Sequence, residues 1–372
     1  MSNPVHVDNI YYNVELSNNT SSGAPLDVVF NSEQNEIVVQ HPDEFYLTVA
    51  RFSISGLSIP NAYFEAIPNQ SNPNLGIYTV TLTYVPDNAN FTQNVTFVPQ
   101  NNHPTPIPPF NKINPYYFVY SYQNLLNLFN SALQQAFNGL KAAYPGLILN
   151  EAPYFVYRDG TFILVMEASY LDEPVKLYLN APSFAIFPSL SGKTNGYNLT
   201  NEALFFEFTP YFADNFYQID PSNPVSPPVY IKFPLESKPF STLSALKKII
   251  ITSNMPVNGE LKPSLISLDT TQAGNVSFQN ILTDFVPNSG EPGLEREQLV
   301  YNPTIYRLID LKSTAPLNLI NLRVFWVDRN DNLYPLRLIF GQSASIKLLF
   351  VKKEVYEGIN DLQKINRVNG KY

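Results

Sequence analysis

Apolar and polar positions along this chain alternate mostly with a period of two. Gly76–Val85 is a clear instance, with Tyr78, Val80, Leu82 and Tyr84 set against Thr79, Thr81 and Thr83. Successive side chains of a strand point to opposite faces, so this pattern predicts a half-buried strand. It is expected to pair with Gln93–Val98 across the turn Pro86–Asn90. Glu44–Ser55 is apolar on both faces and predicts a strand covered on both sides, with Arg51 as its one charge, expected to pair or to reach out to water. Asn9–Leu16, Lys176–Asn180, Leu204–Phe208, Lys247–Ser253, Gln298–Tyr301 and Thr304–Leu311 predict further strands. Two hairpins are expected, Leu26–Asn31 with Glu36–Gln40, and Tyr154–Tyr157 with Thr161–Glu167 around Arg158-Asp159-Gly160. Near the C-terminus, Leu319–Val327, Leu333–Leu338 and Ser345–Val351 read as a three-stranded antiparallel meander.

One long segment has the other period. In Ser121–Tyr144 the residues Tyr122, Leu125, Leu126, Phe129, Leu133, Ala136, Phe137 and Leu140 recur at helical spacing, with Asn and Gln opposite. Ser121 is a suitable N-cap and Pro145-Gly146 a stop signal. Proline-rich stretches lie on either side of this region, at 104–115 and 221–239. Proline fixes φ and cannot donate to a sheet, so both are read as extended connectors. The expected division is therefore a β domain of residues 1–100 plus 240–353, an α+β insertion at 101–239, and a tail at 354–372. Residues 1–24 form an arm or loop with a first strand.

Composition agrees with an all-β chain. The 372 residues include 32 Pro, 24 Tyr and 26 Phe, and only 15% are charged, against about 25% in an average soluble domain. A net charge of −8 argues against a surface that grips nucleic acid through many phosphates. The absence of cysteine removes disulfides, zinc–thiolate sites and thiol catalysis. No secretory signal is expected from MSNPVHVDNIYYN, and no run has the ~20 apolar residues of a spanning helix.

Candidate chemistry is sparse. His6, His41 and His103 lie far apart, each beside a turn and without a partner at catalytic spacing. Asp284, Glu291, Glu295 and Glu297 gather around one loop and could hold a divalent cation, but calcium-loop spacing is lacking and a solvated loop face is the favoured reading. Asp310 is expected to form an ion pair with Arg307 or Lys312. N-x-[ST] matches, among them Asn18, Asn19, Asn90, Asn94, Asn198 and Asn275, read as chance matches in an Asn-rich chain. No catalytic, cofactor-binding or metal-ligating residue is assigned, and no cofactor is expected.

The order of several short motifs carries a resemblance. Asn254-x-Pro256-Val257, Ile281-Leu282-Thr283-Asp284-Phe285, Tyr306-Arg307-x-Ile309-Asp310-Leu311, Ala315-Pro316-Leu317 and Val324-Phe325-Trp326 resemble vertex (penton) or minor capsid proteins of virophages, Polinton-like viruses and their adenovirus-related kin. Phe45-Tyr46-Leu47-x-Val49-x-Arg51-Phe52-Ser53-Ile54, Tyr154-Phe155 and Phe162-Ile163-Leu164 are similar to parts of the same family. The resemblance implies a jelly-roll β-sandwich with an inserted α+β segment. It implies a virion structural protein, made in the host cytoplasm, that closes into homopentamers at the vertices of an icosahedral shell beside a major capsid protein. A double jelly-roll major capsid protein forming trimers is the alternative within that class. A carbohydrate- or receptor-binding β-domain, with a host receptor or glycan as partner, is the alternative outside it. A β-sandwich glycoside hydrolase ranks third and would need two carboxylates about 5–10 Å apart.

Overall fold

The computed structural model describes residues 8–20, 22–33, 36–55, 59–65, 76–98, 116–190, 193–198, 203–207, 216–218, 229–236, 243–258, 264–267, 276–286, 298–303, 306–329, 331 and 333–356. The chain divides into two compact units. The first comprises Met1–Ile59, Leu246–Asn288 and Arg296–Tyr372, and the second Pro60–Ala245 and Ser289–Glu295.

The first unit opens with β1 (Asn9–Ser17), β2 (Leu26–Asp27), β3 (Val29–Glu33) and β4 (Phe45–Ser55). The second holds β5 (Ala62–Glu65), β6 (Thr79–Tyr84), β7 (Ala89–Asn94), β8 (Tyr116–Val119) and helix α1 (Tyr122–Ala143). It continues through β9 (Tyr154–Arg158), β10 (Thr161–Glu167), β11 (Val175–Asn180), helix α2 (Ala181–Ile186), β12 (Lys193–Asn198), β13 (Ala203–Glu207), β14 (Phe216–Gln218) and β15 (Val229–Pro234). The chain then returns to the first unit with β16 (Leu246–Ser253), β17 (Val257–Asn258), β18 (Ser264–Ser267), β19 (Val276–Phe285) and β20 (Gln298–Tyr301). It ends with β21 (Ile309–Leu311), β22 (Leu319–Asp328), β23 (Leu333–Pro335), β24 (Arg337–Leu338) and β25 (Ser343–Lys352).

The first unit is a β-sandwich with jelly-roll character. One sheet has the order β1-β25-β4-β21-β17, with β20 also on β4; the other runs β18-β19-β16-β22-β23, with β3 also on β22. Inward-facing residues on both sheets are buried, among them Val14, Leu47, Phe52, Ile54, Leu348 and Phe350 from the first and Ile249, Ile251, Leu322, Val324 and Trp326 from the second. Two ring contacts join the layers: Phe52 to Phe285 at 5.6 Å and Tyr12 to Phe30 at 6.4 Å between centroids. Alternation of buried and exposed positions is what a half-covered antiparallel strand requires.

The C-terminal meander forms only in its first half, where β22 pairs with β23. Strand β22 pairs with β16, β3 and β23, whereas β25 lies between β1 and β4 in the opposite sheet. The stretch Leu333–Leu338 splits, and its second part pairs with β2. The expected Leu26–Gln40 hairpin is replaced as well. β3 pairs with Leu319–Arg323, and Val39 forms a bridge with Leu317. In both places a partner distant in sequence wins over the adjacent one, because the long C-terminal strands supply more ladder. Of the strand expected over Thr304–Leu311, only Ile309–Leu311 is one among the described residues.

The second unit surrounds α1. Ser121 caps the helix, its Oγ accepting from Asn124 N, and every residue of the expected apolar stripe is buried. The helix contacts β6 and β7 of the sheet β12-β13-β11-β6-β7 and β9 of the sheet β14-β15-β10-β9. Phe129 meets Phe187 edge-on at 5.0 Å, and Phe155 stacks on Phe187 at 4.1 Å. The hairpin β9–β10 forms as expected, with Asp159 and Gly160 both at positive φ (52° and 74°), the signature of a tight two-residue turn.

Two boundaries move. The partner of β6 is Ala89–Asn94 rather than Gln93–Val98, because the turn closes earlier, with Asn88 at φ 50°. That hairpin, expected in the jelly-roll part, instead bonds to β11, so the second unit begins near residue 60.

Candidate functional site

The sites singled out in the sequence do not assemble into one constellation. Asp284 is half-buried and paired with Lys248 at 3.0 Å. Glu291, Glu295 and Glu297 lie outside the described residues, as do His6 and His103. His41 is exposed beside the turn that leads into β4. No group of three or more acidic or His side chains among the described residues could hold a metal ion. Asp310 pairs with Lys353, not with Arg307 or Lys312. Lys353 also donates to the Asp43 carbonyl and sits 5.4 Å from the Tyr46 ring centroid. Residues 353–356 are helical, and Tyr356 meets the same ring edge-on, so 354–356, expected in the tail, are held against β4.

Asn18 is fully buried. Its Nδ2 donates to the carbonyls of Ala24 and Leu338, and its Oδ1 accepts from Thr20. A side chain so enclosed cannot carry a glycan in the folded protein. Asn19, Asn90 and Asn94 are exposed; Asn275 and the side chain of Asn198 are outside the described set.

Several polar side chains inside the second unit bond one another or nearby backbone groups. Glu167 is buried and accepts from Asn150 N (2.8 Å) and Asn150 Nδ2 (3.2 Å). Tyr230 donates to Glu151 Oε2 at 3.0 Å, and Tyr170 to the Glu151 carbonyl at 2.9 Å. Burial pushes both phenols well above their ordinary range; Tyr230 is raised further by the Glu151 hydrogen bond, and Tyr170 by the nearby Glu167 charge. These groups tie down the irregular segment after α1. The sequence gives no sign of them, since each bond joins residues brought together only by folding.

The free surfaces of the sandwich are more informative. β1 ends its sheet, and no strand among the described residues pairs with its outer side. The face next to it carries Tyr11, 58% exposed, with Lys347 Nζ 4.9 Å from its ring centroid. Arg51 is exposed and stands directly across the ladder from Lys347. Of the two outcomes expected for Arg51, it reaches out to water, and neither cation has an acidic partner among the described residues. Like charges placed opposite each other on a sheet are unfavourable. No helix among the described residues is long and apolar enough to cross a membrane.

Two-sheet jelly rolls build virus shell proteins, and also lectins and cupins. Comparison with known proteins narrows this to a family. The model of the Sputnik minor capsid protein V18/19 family matches residues 10–352, and the chain belongs to that family. It is a capsid structural protein. It is 30% identical over 212 residues to structural protein V19 of Sputnik virophage, spanning 54% of this chain and 94% of the relative. It is 31% identical over 157 residues to the uncharacterized protein V18 of the same virophage, spanning 40% and 91%. A chain of the Sputnik virophage cryo-EM structure superposes with a TM-score of 0.70 at 28% identity, covering 94% of this chain and 99% of the other. The mavirus penton protein shares the fold, with a TM-score of 0.55 at 17% identity over 92% and 99% of the two chains.

Proposed function

We propose that this chain is a vertex subunit that closes into a homopentamer and sits beside a major capsid protein in an icosahedral virion. The observation that carries the reading is the pair of unlike flanks on the jelly roll: β1 bounds one side of its sheet and β17 the other. A cyclic ring is made by joining one surface to a different one on the next copy. The likeness to a penton protein supports the fivefold choice. In this role the protein acts by burying surface between subunits and carries out no reaction. The chain is made in the host cytoplasm before it joins the particle.

Native mass spectrometry of the purified full chain, with electron microscopy of the same sample, tests the reading. Five copies per particle in a fivefold ring are expected. Stable trimers would instead favour a major capsid role, and selective glycan-array binding by a chain that never assembles would favour a receptor-binding domain.

A further inference from the structure

The register of β1 determines which of its backbone groups are free. Asn9 to Ser17 stand opposite Val351 to Ser343 in nine consecutive pairs without a bulge. Lys352 N donates to the Asp8 carbonyl and Asn18 N to the Gln342 carbonyl, each at 2.9 Å. In an antiparallel ladder directly opposed residues alternate between bonded and non-bonded pairs. The even-numbered residues of β1 therefore bond β25, and the N–H and C=O groups of Asn9, Tyr11, Asn13, Glu15 and Ser17 point away from the sheet. Their side chains are the exposed ones.

Monomeric proteins blunt such an edge with proline, lysine, a bulge or a covering element. β1 contains no Pro, Lys or bulge, its only charge is Glu15, and no strand among the described residues covers its outer side. The same chain does guard an edge elsewhere. β9 ends its sheet, and there Asn130 of α1 donates to the Phe155 carbonyl (2.8 Å) and accepts from Phe155 N (2.7 Å), while Gln123 accepts from Tyr157 N (2.8 Å).

We propose that β1 is an assembly edge, and that its outward backbone groups take a strand from a second copy of this chain, continuing the sheet from one subunit into the next. This rests on the ring-forming reading above and names the surface that would close the ring. Charge complementarity identifies the partner. Lys347 of β25 and Arg51 of β4 share the face that carries Tyr11, with no acidic partner among the described residues. Asp43 and Glu44 are exposed in the turn Pro42–Glu44, which leads into β4 at one end of the sheet and packs by β21. Asp43 N donates to the Ser313 carbonyl, which fixes that turn just after β21. A second copy that offers this acidic turn meets the basic face beside β1. The contact is then between unlike surfaces, as a ring needs.

Amide hydrogen exchange on the full chain tests this without any variant. In the assembled state, the amides of Tyr11, Asn13 and Glu15 should exchange at least about tenfold more slowly than in a dilute, dissociated sample. Asn13→Pro removes an outward donor and no bond to β25, so it should raise the concentration needed for assembly by about tenfold or more. R51E/K347E should weaken assembly, and combining it with D43K/E44K should restore it. Pentamers whose odd-numbered β1 amides stay unprotected overturn the edge proposal and leave the pentamer standing. Trimers with those amides protected keep the edge and overturn the pentamer. Protection already present in the dissociated chain, or a wild-type chain that is monomeric throughout, overturns the edge proposal.

Discussion

Strands β9 and β1 both end a sheet, and the protein treats them in opposite ways. At β9 the helix α1 lends two side-chain amides, Asn130 and Gln123, to bond the outward groups of Phe155 and Tyr157. At β1 nine regularly paired residues are left with one side unpaired among the described residues. The difference shows that the chain can close an edge when stability calls for it. An edge left open in the same molecule is then a feature with a use. For a shell protein the use is contact with a neighbour.

The sharpest way to break this comparison is to remove what holds α1 and β9 together. Phe155 is fully buried and stacked on Phe187. Phe155→Ala should cost about 3–5 kcal/mol, read from the urea midpoint at constant slope. Asn130→Ala isolates the edge itself, because it strands the N–H and C=O of Phe155. It should cost about 1–3 kcal/mol and add concentration-dependent aggregation through the newly open strand. Stability within error of wild type would mean that Asn130 guards nothing. Ser121→Ala, which removes the helix cap, should cost about 1 kcal/mol by the same assay.

A pH titration probes the second unit further. The folded protein favours the neutral form of Tyr170 and Tyr230 because burial raises both phenols. The stability they contribute is complete below the ordinary tyrosine value, about pH 10, and is lost as pH rises above it toward their raised folded-state values. The melting temperature should therefore drop above that pH, and Tyr230→Phe should lessen the drop. The smallest effect belongs to the open edge. Asn13→Ala exposes no buried group, so the dissociated subunit should change by less than about 0.5 kcal/mol.

The features that can be read from sequence are those set by neighbours along the chain. The stripe of α1, its cap at Ser121, the Asp159-Gly160 turn and the two-faced strand β4 all arise from local periods and turn chemistry. Strand partners were harder to read. Period two says that Leu319–Val327 and Ser345–Val351 are strands, but it carries no mark of the sheet each one joins. Adjacency along the chain suggests one meander for both, yet they lie in opposite layers. The proline-rich stretch at 104–115 looked like a boundary. What decides where the second unit begins is the bonding of β6 to β11, some hundred residues further along. The assembly surface was hidden for a related reason. Tyr11, Arg51 and Lys347 come from three distant segments, and only the ladder β1-β25-β4 makes them neighbours.

That ladder also sets a timetable. Among the described residues the first strand pairs with the last, so this sheet cannot close until residues beyond Val351 have left the ribosome. The second unit lies almost wholly within one continuous span, Pro60–Ala245, and its helix and hairpins can form as that span emerges. At a synthesis rate of about 5–20 residues per second, β1 waits many seconds for β25. During that wait both of its sides are open. A virus that assembles many copies at once must therefore keep a half-made subunit from adding to its neighbours. Because the basic face beside β1 needs Lys347 from β25, that face is complete only when the last strand is in place.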